Sequence, residues 1–165
     1  MRPCSIELIG AGAWIALHPN LNGDRTVPEL RPYQLRLLED IRSAVRRGHR
    51  RIVAVMPTGA GKGTTIGAMV QSAAAKGRRT LVLAHRAELI RQLSNTAAGW
   101  GVPHGVIAAG RSMDNSCLVQ VGSVQTVIRR LDRMLPPDII IVDEAHHLCT
   151  GNTWGKVIDY WPGAL

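Results

Sequence analysis

At 165 residues the chain is long enough for one domain with a proper core, and 45% apolar against 19% charged residues excludes a disordered segment. A formal charge of +8, carried by 17 arginines and three lysines, favours a polyanionic partner, nucleic acid before a membrane surface. Cys4, Cys117 and Cys149 are odd in number and scattered, which argues against a disulfide frame or a zinc site and for the reduced thiols of a cytoplasmic protein.

The chain opens with "IELIGAGAWIAL", twelve residues and too short to span a bilayer. Glu7 inside the apolar stretch and the lack of a small-x-small cleavage site argue against a signal peptide. The segment reads as a strand or hairpin turning at Gly10 to Gly12, followed by a linker-like stretch over residues 18–29. Residues 1–29 are thus expected to be an extension to a domain over 30–165.

"RPYQLRLLEDIRSAVRRG" then carries Leu35, Leu38, Ile41 and Val45 at helical spacing, with Pro32 near its start and Gly48 at its end. "RIVAVM" reads as a strand, "GKGTTIGAMVQSAAAKG" as a helix, "TLVLAH" as a strand and "RAELIRQLSNTAAG" as a helix. "CLVQVG" follows as a strand and "SVQTVIRRL" as a short helix. "DIIIVDEAHH" closes the series as a strand with an acidic end, its "IIIV" suited to cover on both faces. Such alternation predicts an α/β fold, a mainly parallel sheet with crossover helices.

"MPTGAGKGTT", residues 56–65, lies between a predicted strand and a predicted helix. Glycines there let backbone N–H groups turn inward, the helix N-terminus adds its dipole, and Lys62 adds a point charge for β- and γ-phosphates. Pro57, Thr58, Gly59, Ala60, Gly61, Lys62, Gly63 and Thr64 are the candidate phosphate-binding residues. The hydroxyl that normally ligates Mg²⁺ after the lysine is missing, because Gly63 stands there and Thr64 and Thr65 arrive late. On a helix, moving that hydroxyl to Thr64 turns it by about 100°. Mg²⁺ keeps waters readily, so the expectation is a working nucleotide site with loosened metal ligation.

Asp143 and Glu144 end a buried strand, at the edge where open α/β sheets bind ligands. Asp143 can hold Mg²⁺, and Glu144 can orient a water toward a γ-phosphate. The alternative is an acidic helix N-cap.

At this point the chain resembles the first RecA-like domain of a superfamily 2 helicase of the DEAH-like type, from about Leu30 to Leu165. "LRPYQ" is similar to the Q motif, "PTGAGKG" to motif I, "LAHRAELIRQ" to motif Ia, "VGSVQTV" to the Gln-Thr motif and "VDEAHH" to motif II. The resemblance implies a RecA-like P-loop NTPase domain using ATP and Mg²⁺. Gln34 would read the adenine edge, supported by Arg31, and Lys62, Asp143, Glu144 and His146 would form the catalytic set. His146 would couple nucleotide to strand binding; His147 reads as packing or solvated. Arg86 and Gln92, with Gln125 and Thr126, would line a groove tracking a nucleic-acid strand by its backbone. Other readings stand beside these: an exposed helix-start arginine for Arg86, and helix capping for Gln125 and Thr126. The run Arg42, Arg46, Arg47, Arg50 and Arg51 reads first as a solvated helix face and second as a nucleic-acid patch.

The family's motif III and second RecA-like domain, with its arginine finger, do not occur within these residues. The expectation is therefore a fragment of a longer ATP-dependent helicase or translocase, acting on DNA rather than RNA and binding nucleotide weakly alone. The alternatives are the motor subunit of a type I or III restriction enzyme, or a non-catalytic nucleic-acid-binding module that keeps the fold.

Overall fold

The structure, a computed structural model, describes residues 28–148 and 151–165. The hairpin at Gly10 to Gly12, most of the linker, Cys4, Cys149 and the side chain of His147 lie outside the described residues. In chain order the elements are α1 (Pro32–Arg46), α2 (Lys62–Ala75), β1 (Thr80–Ala84), α3 (Ala87–Gly99), β2 (His104–Ile107), β3 (Val119–Ser123), α4 (Val124–Val127), β4 (Ile139–Val142) and α5 (Thr153–Tyr160). One-turn 3-10 helices follow α4 at Leu131–Arg133 and β4 at Ala145–His147.

The four strands form one sheet in the order β2-β3-β1-β4, and every pairing is parallel. Thr80 of β1 stands between Val119 of β3 and Ile139 of β4, so three strands end together at one edge. In β1, successive side chains feed opposite faces. Val82 and Ala84 enter a core with α1, α2 and α3, while Leu81 and Leu83 enter a second core with α4 and α5. Each fully buried Leu or Val contributes about 1.5–3 kcal/mol of transfer free energy, so both faces hold the sheet. Helices on both faces of a parallel sheet make the expected RecA-like α/β architecture.

Helix α1 starts with Pro at its first position, where a missing N–H costs nothing, and Gly48 follows its end at φ 89°. Helix α5 and strand β2 are absent from the sequence reading. β2 is only four residues, "HGVI", and carries one apolar side chain per face. α5 has a legible start, because Asn152 Oδ1 accepts from the N–H groups of Trp154 and Gly155.

One expectation is corrected. "RIVAVM" joins no strand of the sheet, and Val53 and Val55 are 78% and 84% exposed. "IIIV" packs on both faces as expected, Ile139 and Ile141 against the core with α1, α2 and α3 and Ile140 and Val142 against the core with α4 and α5, although only Ile141 is fully buried. Among the described residues β4 is an edge strand with no full neighbour beyond it, and only Leu165 pairs there, donating its N–H to Asp138 O and accepting from Ile140 N, both at 2.9 Å. Residues 51–56 are anchored at their start instead. Arg50 donates to Gly163 O and Arg51 to the Asp159 carboxylate.

Candidate functional site

The glycine-rich turn is shaped by two residues in the left-handed region, Gly59 at φ 80° and Gly61 at φ 74°. Ala60 N donates to Pro57 O at 3.2 Å, and α2 begins directly afterwards at Lys62. The first N–H groups of α2 have no helical partner, and with the helix dipole they favour an anion. Helix α1 holds the turn from behind. Tyr33 Oη donates to Ala60 O at 2.9 Å, and Gln34 Nε2 donates to Ala60 O at 3.1 Å and Gly61 O at 3.2 Å. Gln34 Oε1 accepts from Arg31 N at 2.9 Å, so the whole amide is engaged and the residue is only 2% exposed. Contact with an adenine edge would require exchanging these bonds. Arg31 is exposed at the N-cap of α1, and Pro57, Thr58 and Gly59 are exposed along the turn.

Strand β4 delivers the acidic pair. Asp143 N donates to Leu83 O at 3.0 Å, which continues the parallel register one step beyond the strand. Glu144 adopts φ 63°, the one non-glycine residue at positive φ among the described residues, at a backbone cost of about 1–2 kcal/mol. Its N–H turns back to Asp143 Oδ1 at 3.1 Å, and its carboxylate meets His146 Nδ1 at 3.3 Å. Such strain collects where a side chain must be aimed.

Burial pushes the Asp143 carboxyl above its ordinary range, and the neighbouring Glu144 charge adds to the rise. The Glu144 N–H, Lys62 and His85 act in the opposite direction, so both the lysine and the histidine lie within electrostatic reach of this carboxylate. Lys62, the first residue of α2, thus lies on the side of the sheet reached by Asp143. No cluster of three or more His, Cys, Asp or Glu able to hold a metal occurs among the described residues. That donor set suits Mg²⁺ held by one carboxylate together with substrate phosphates and waters, and does not suit a self-standing metal site.

Gly63 has a structural partner of its own. A β-carbon there would stand 3.6 Å from Thr96 Oγ1 of α3, and one on Gly67 would stand 2.3 Å from the Trp100 indole. Gly63 and Gly67 thus lie one turn apart on α2, under Thr96 and Trp100 one turn apart on α3. Thr65 Oγ1 donates back to Gly61 O at 3.3 Å, and Thr64 Oγ1 is 3.6 Å from where a Gly61 β-carbon would stand.

The remaining candidates stand at the same edge of the sheet, because each follows the end of a parallel strand. Arg86 is the exposed N-cap of α3 after β1, and Gln92 is exposed further along that helix. Gln125 and Thr126 lie on α4 directly after β3. Gln125 Oε1 accepts from Ser123 Oγ at 2.7 Å. The sequence reading overlooked His85. Arg86 Nε donates to His85 Nε2 at 3.0 Å, and the His85 ring stacks edge-on to Trp154 at 6.4 Å. This imidazole bonds the Arg86 side chain and lies within electrostatic reach of Asp143; its signal was its place just past a wholly buried strand.

The arginine run of α1 is a solvated face. Arg42 and Arg46 pair with Glu39, Arg47 donates to Ser43 Oγ, and Arg51 pairs with Asp159. No helix among the described residues is long and apolar enough to cross a membrane.

Comparison with known proteins agrees with this geometry. A 105-residue stretch is 33% identical to a 51.5 kDa protein of a Lactococcus phage (isolate 7-9), covering 64% of this chain and 20% of the relative. A 149-residue stretch is 30% identical to a Saccharomyces cerevisiae protein, IRC3, named as a candidate ATP-dependent helicase, covering 82% of this chain and 21% of the relative. The chain thus spans about a fifth of the length of the curated relatives it matches. The crystal structure of a hypothetical ATP-dependent RNA helicase from Sulfolobus tokodaii superposes with a TM-score of 0.56 over 76% of this chain and 48% of that one. At 14% identity that likeness shows the fold alone. Residues 28–165 match the type III restriction enzyme, res subunit family, and the chain belongs to that helicase-like family.

Proposed function

We propose that this chain is the ATP-binding domain of a motor that couples ATP hydrolysis to movement along DNA, with residues 30–165 as its RecA-like unit. The observation that carries the reading is that Lys62, which opens α2 directly after the glycine-rich turn, lies within electrostatic reach of Asp143, which follows the end of β4.

In this reading the N–H groups at the start of α2 and the Lys62 ammonium hold the β- and γ-phosphates. Asp143 would hold Mg²⁺ shared with those phosphates, and that ion supplies charge neutralisation at their oxygens. Glu144 orients a water and takes its proton as the water oxygen bonds to the γ-phosphorus and the bridging oxygen leaves with ADP. His146, bonded to Glu144, steadies that carboxylate. Arg86, Gln92, Gln125 and Thr126 contact the sugar-phosphate backbone of a strand. A second RecA-like domain supplies the arginine that completes charge stabilisation in the longer protein.

The family's description, a restriction-enzyme subunit, supports DNA over RNA and supports a second reading as the motor subunit of such an enzyme. Titration calorimetry with Mg²⁺-ATP tests the nucleotide site. Lys62→Ala should remove most of the affinity and leave ligand-free unfolding nearly unchanged; equal binding by both proteins would overturn the assignment. In the longer protein, Glu144→Gln should bind ATP and fail to turn it over, while parental turnover would exclude Glu144 as the base. Affinities for matched DNA and RNA strands decide between the two nucleic acids.

A further inference from the structure

Away from the nucleotide turn, on the face of the sheet covered by α4 and α5, three arginines converge. Arg111, Ser112, Met113, Arg130 and Arg133 line an open cavity of about 320 Å³. No carboxylate lines it. Several other exposed arginines are paired with acids, Arg46 with Glu39, Arg51 with Asp159, Arg78 with Asp138 and Arg91 with Glu88. Arg111, Arg130 and Arg133 make no ion pair among the described residues. The two nearest acids in sequence do not compensate them. Asp114 accepts from Ser116 N at 2.8 Å, and Asp132 pairs with neither adjacent arginine.

The loop that carries Arg111 is fastened in place. Arg130 Nη1 donates to Arg111 O at 2.9 Å, Asn115 Nδ2 to Arg133 O at 2.9 Å, and Gln120 Nε2 to Asp114 O at 2.6 Å. Holding three like charges around one cavity costs free energy unless an anion occupies it. One Arg130 donor goes to a carbonyl, which fixes the fork while leaving its other donors for phosphate oxygens.

We propose that this groove binds the phosphodiester backbone of a nucleic-acid strand, as a second contact surface beyond Arg86, Gln125 and Thr126. The choice of ligand rests on the proposed nucleic-acid binding; the site itself rests on the groove's own geometry. The lining has no aromatic ring and no side-chain amide, so it grips backbone and does not read bases. Arg130 follows Thr126 by four residues, about one helical turn, so one strand can lie across both.

The test is fluorescence anisotropy of a labelled single-stranded oligonucleotide titrated with the 165-residue chain across a salt series. Arg111→Ala/Arg130→Ala/Arg133→Ala should lower affinity by roughly tenfold and reduce the salt slope by about 2, at about 0.7 per lost phosphate contact. Calorimetric ATP affinity should not change. Arg111→Ala/Arg133→Ala, which spares the Arg130 bond, should show about two-thirds of the slope change with an unaltered Tm. If both variants bind like the wild type while Arg86→Ala weakens binding, the groove proposal falls and the functional reading stands. If the arginine variants weaken binding and Arg86→Ala does not, the tracking groove falls and this one stands. A wild-type chain that binds no strand overturns both. Release of the strand by inorganic phosphate at constant ionic strength would show a small-anion site and overturn the strand assignment.

Discussion

The indole of Trp100 lies where a side chain on Gly67 would have to go, since a β-carbon there would stand 2.3 Å from two of its ring atoms. Helix α3 can therefore close onto α2 only because position 67 is glycine. Helix propensity alone favours Gly67→Ala by about 1 kcal/mol, yet overpacking of this kind costs about 1–3 kcal/mol. The clash should win, lowering Tm by several degrees in a thermal melt. An unchanged or higher Tm would show that Trp100 has room to move.

At Gly63 the balance differs. The added β-carbon meets Thr96 Oγ1 at 3.6 Å, an ordinary contact. Gly63→Thr should fold with a Tm close to the parent. On the proposed reading, in a protein that joins this domain to a second RecA-like domain it should lower the Mg²⁺ concentration for half-maximal ATPase with little change of ATP affinity in excess Mg²⁺. A parent without turnover, revived only by this change, would mean that the natural glycine silences the motor.

Gln34 joins α1 to the turn through both ends of its amide. Gln34→Ala strands buried groups on each side and should cost about 1–3 kcal/mol. It should also weaken ATP binding several-fold, because the turn loses its support. Tyr33→Phe leaves the Gln34 bond to Ala60 O in place and should cost no more than about 1 kcal/mol. Calorimetry and denaturant melts rank the two, and a larger effect for Tyr33→Phe would contradict the assignment.

Asp143 carries a pH signature in the metal-free protein. Burial, with the Glu144 charge second, raises its folded pKa above the unfolded value, so the folded state holds this proton more tightly. Its contribution to stability is fully present below the ordinary aspartate value of 3.8 and is lost as pH rises through the raised folded value. Asp143→Asn should therefore be more stable than the parent near neutral pH in EDTA, with the advantage shrinking as the solution is acidified. A variant less stable at neutral pH would exclude this origin.

Val53 and Val55 present an apolar strip to solvent, and β4 is an incompletely paired sheet edge among the described residues. Such edges template association between chains. Val53→Lys/Val55→Lys should reduce self-association in sedimentation velocity while changing stability by no more than about 0.5 kcal/mol per site. A fall in Tm on the scale of a core substitution would mean that the strip is packed in solution.

The nucleotide turn, the acidic pair and the alternation of strands and helices were legible in the chain, because local chemistry determines each. Only glycine sits easily at φ 74°, only short β-rich runs make "TLVLA", and a parallel sheet places whatever follows each strand at one edge. The order of strands was not legible, since it depends on which neighbours meet. "RIVAVM" and "IIIV" have the composition of covered strands, yet the tertiary arrangement leaves one unpaired and the other at the edge. Periodicity records what a segment can bury, not what arrives to bury it. For the same reason the packing of Gly67 against Trp100 was not legible in the sequence. His85 beside Asp143, Gln34 turned inward to the loop carbonyls, and the convergence of Arg111, Arg130 and Arg133 were likewise decided by contacts between residues far apart in the chain, which spacing along one segment does not encode.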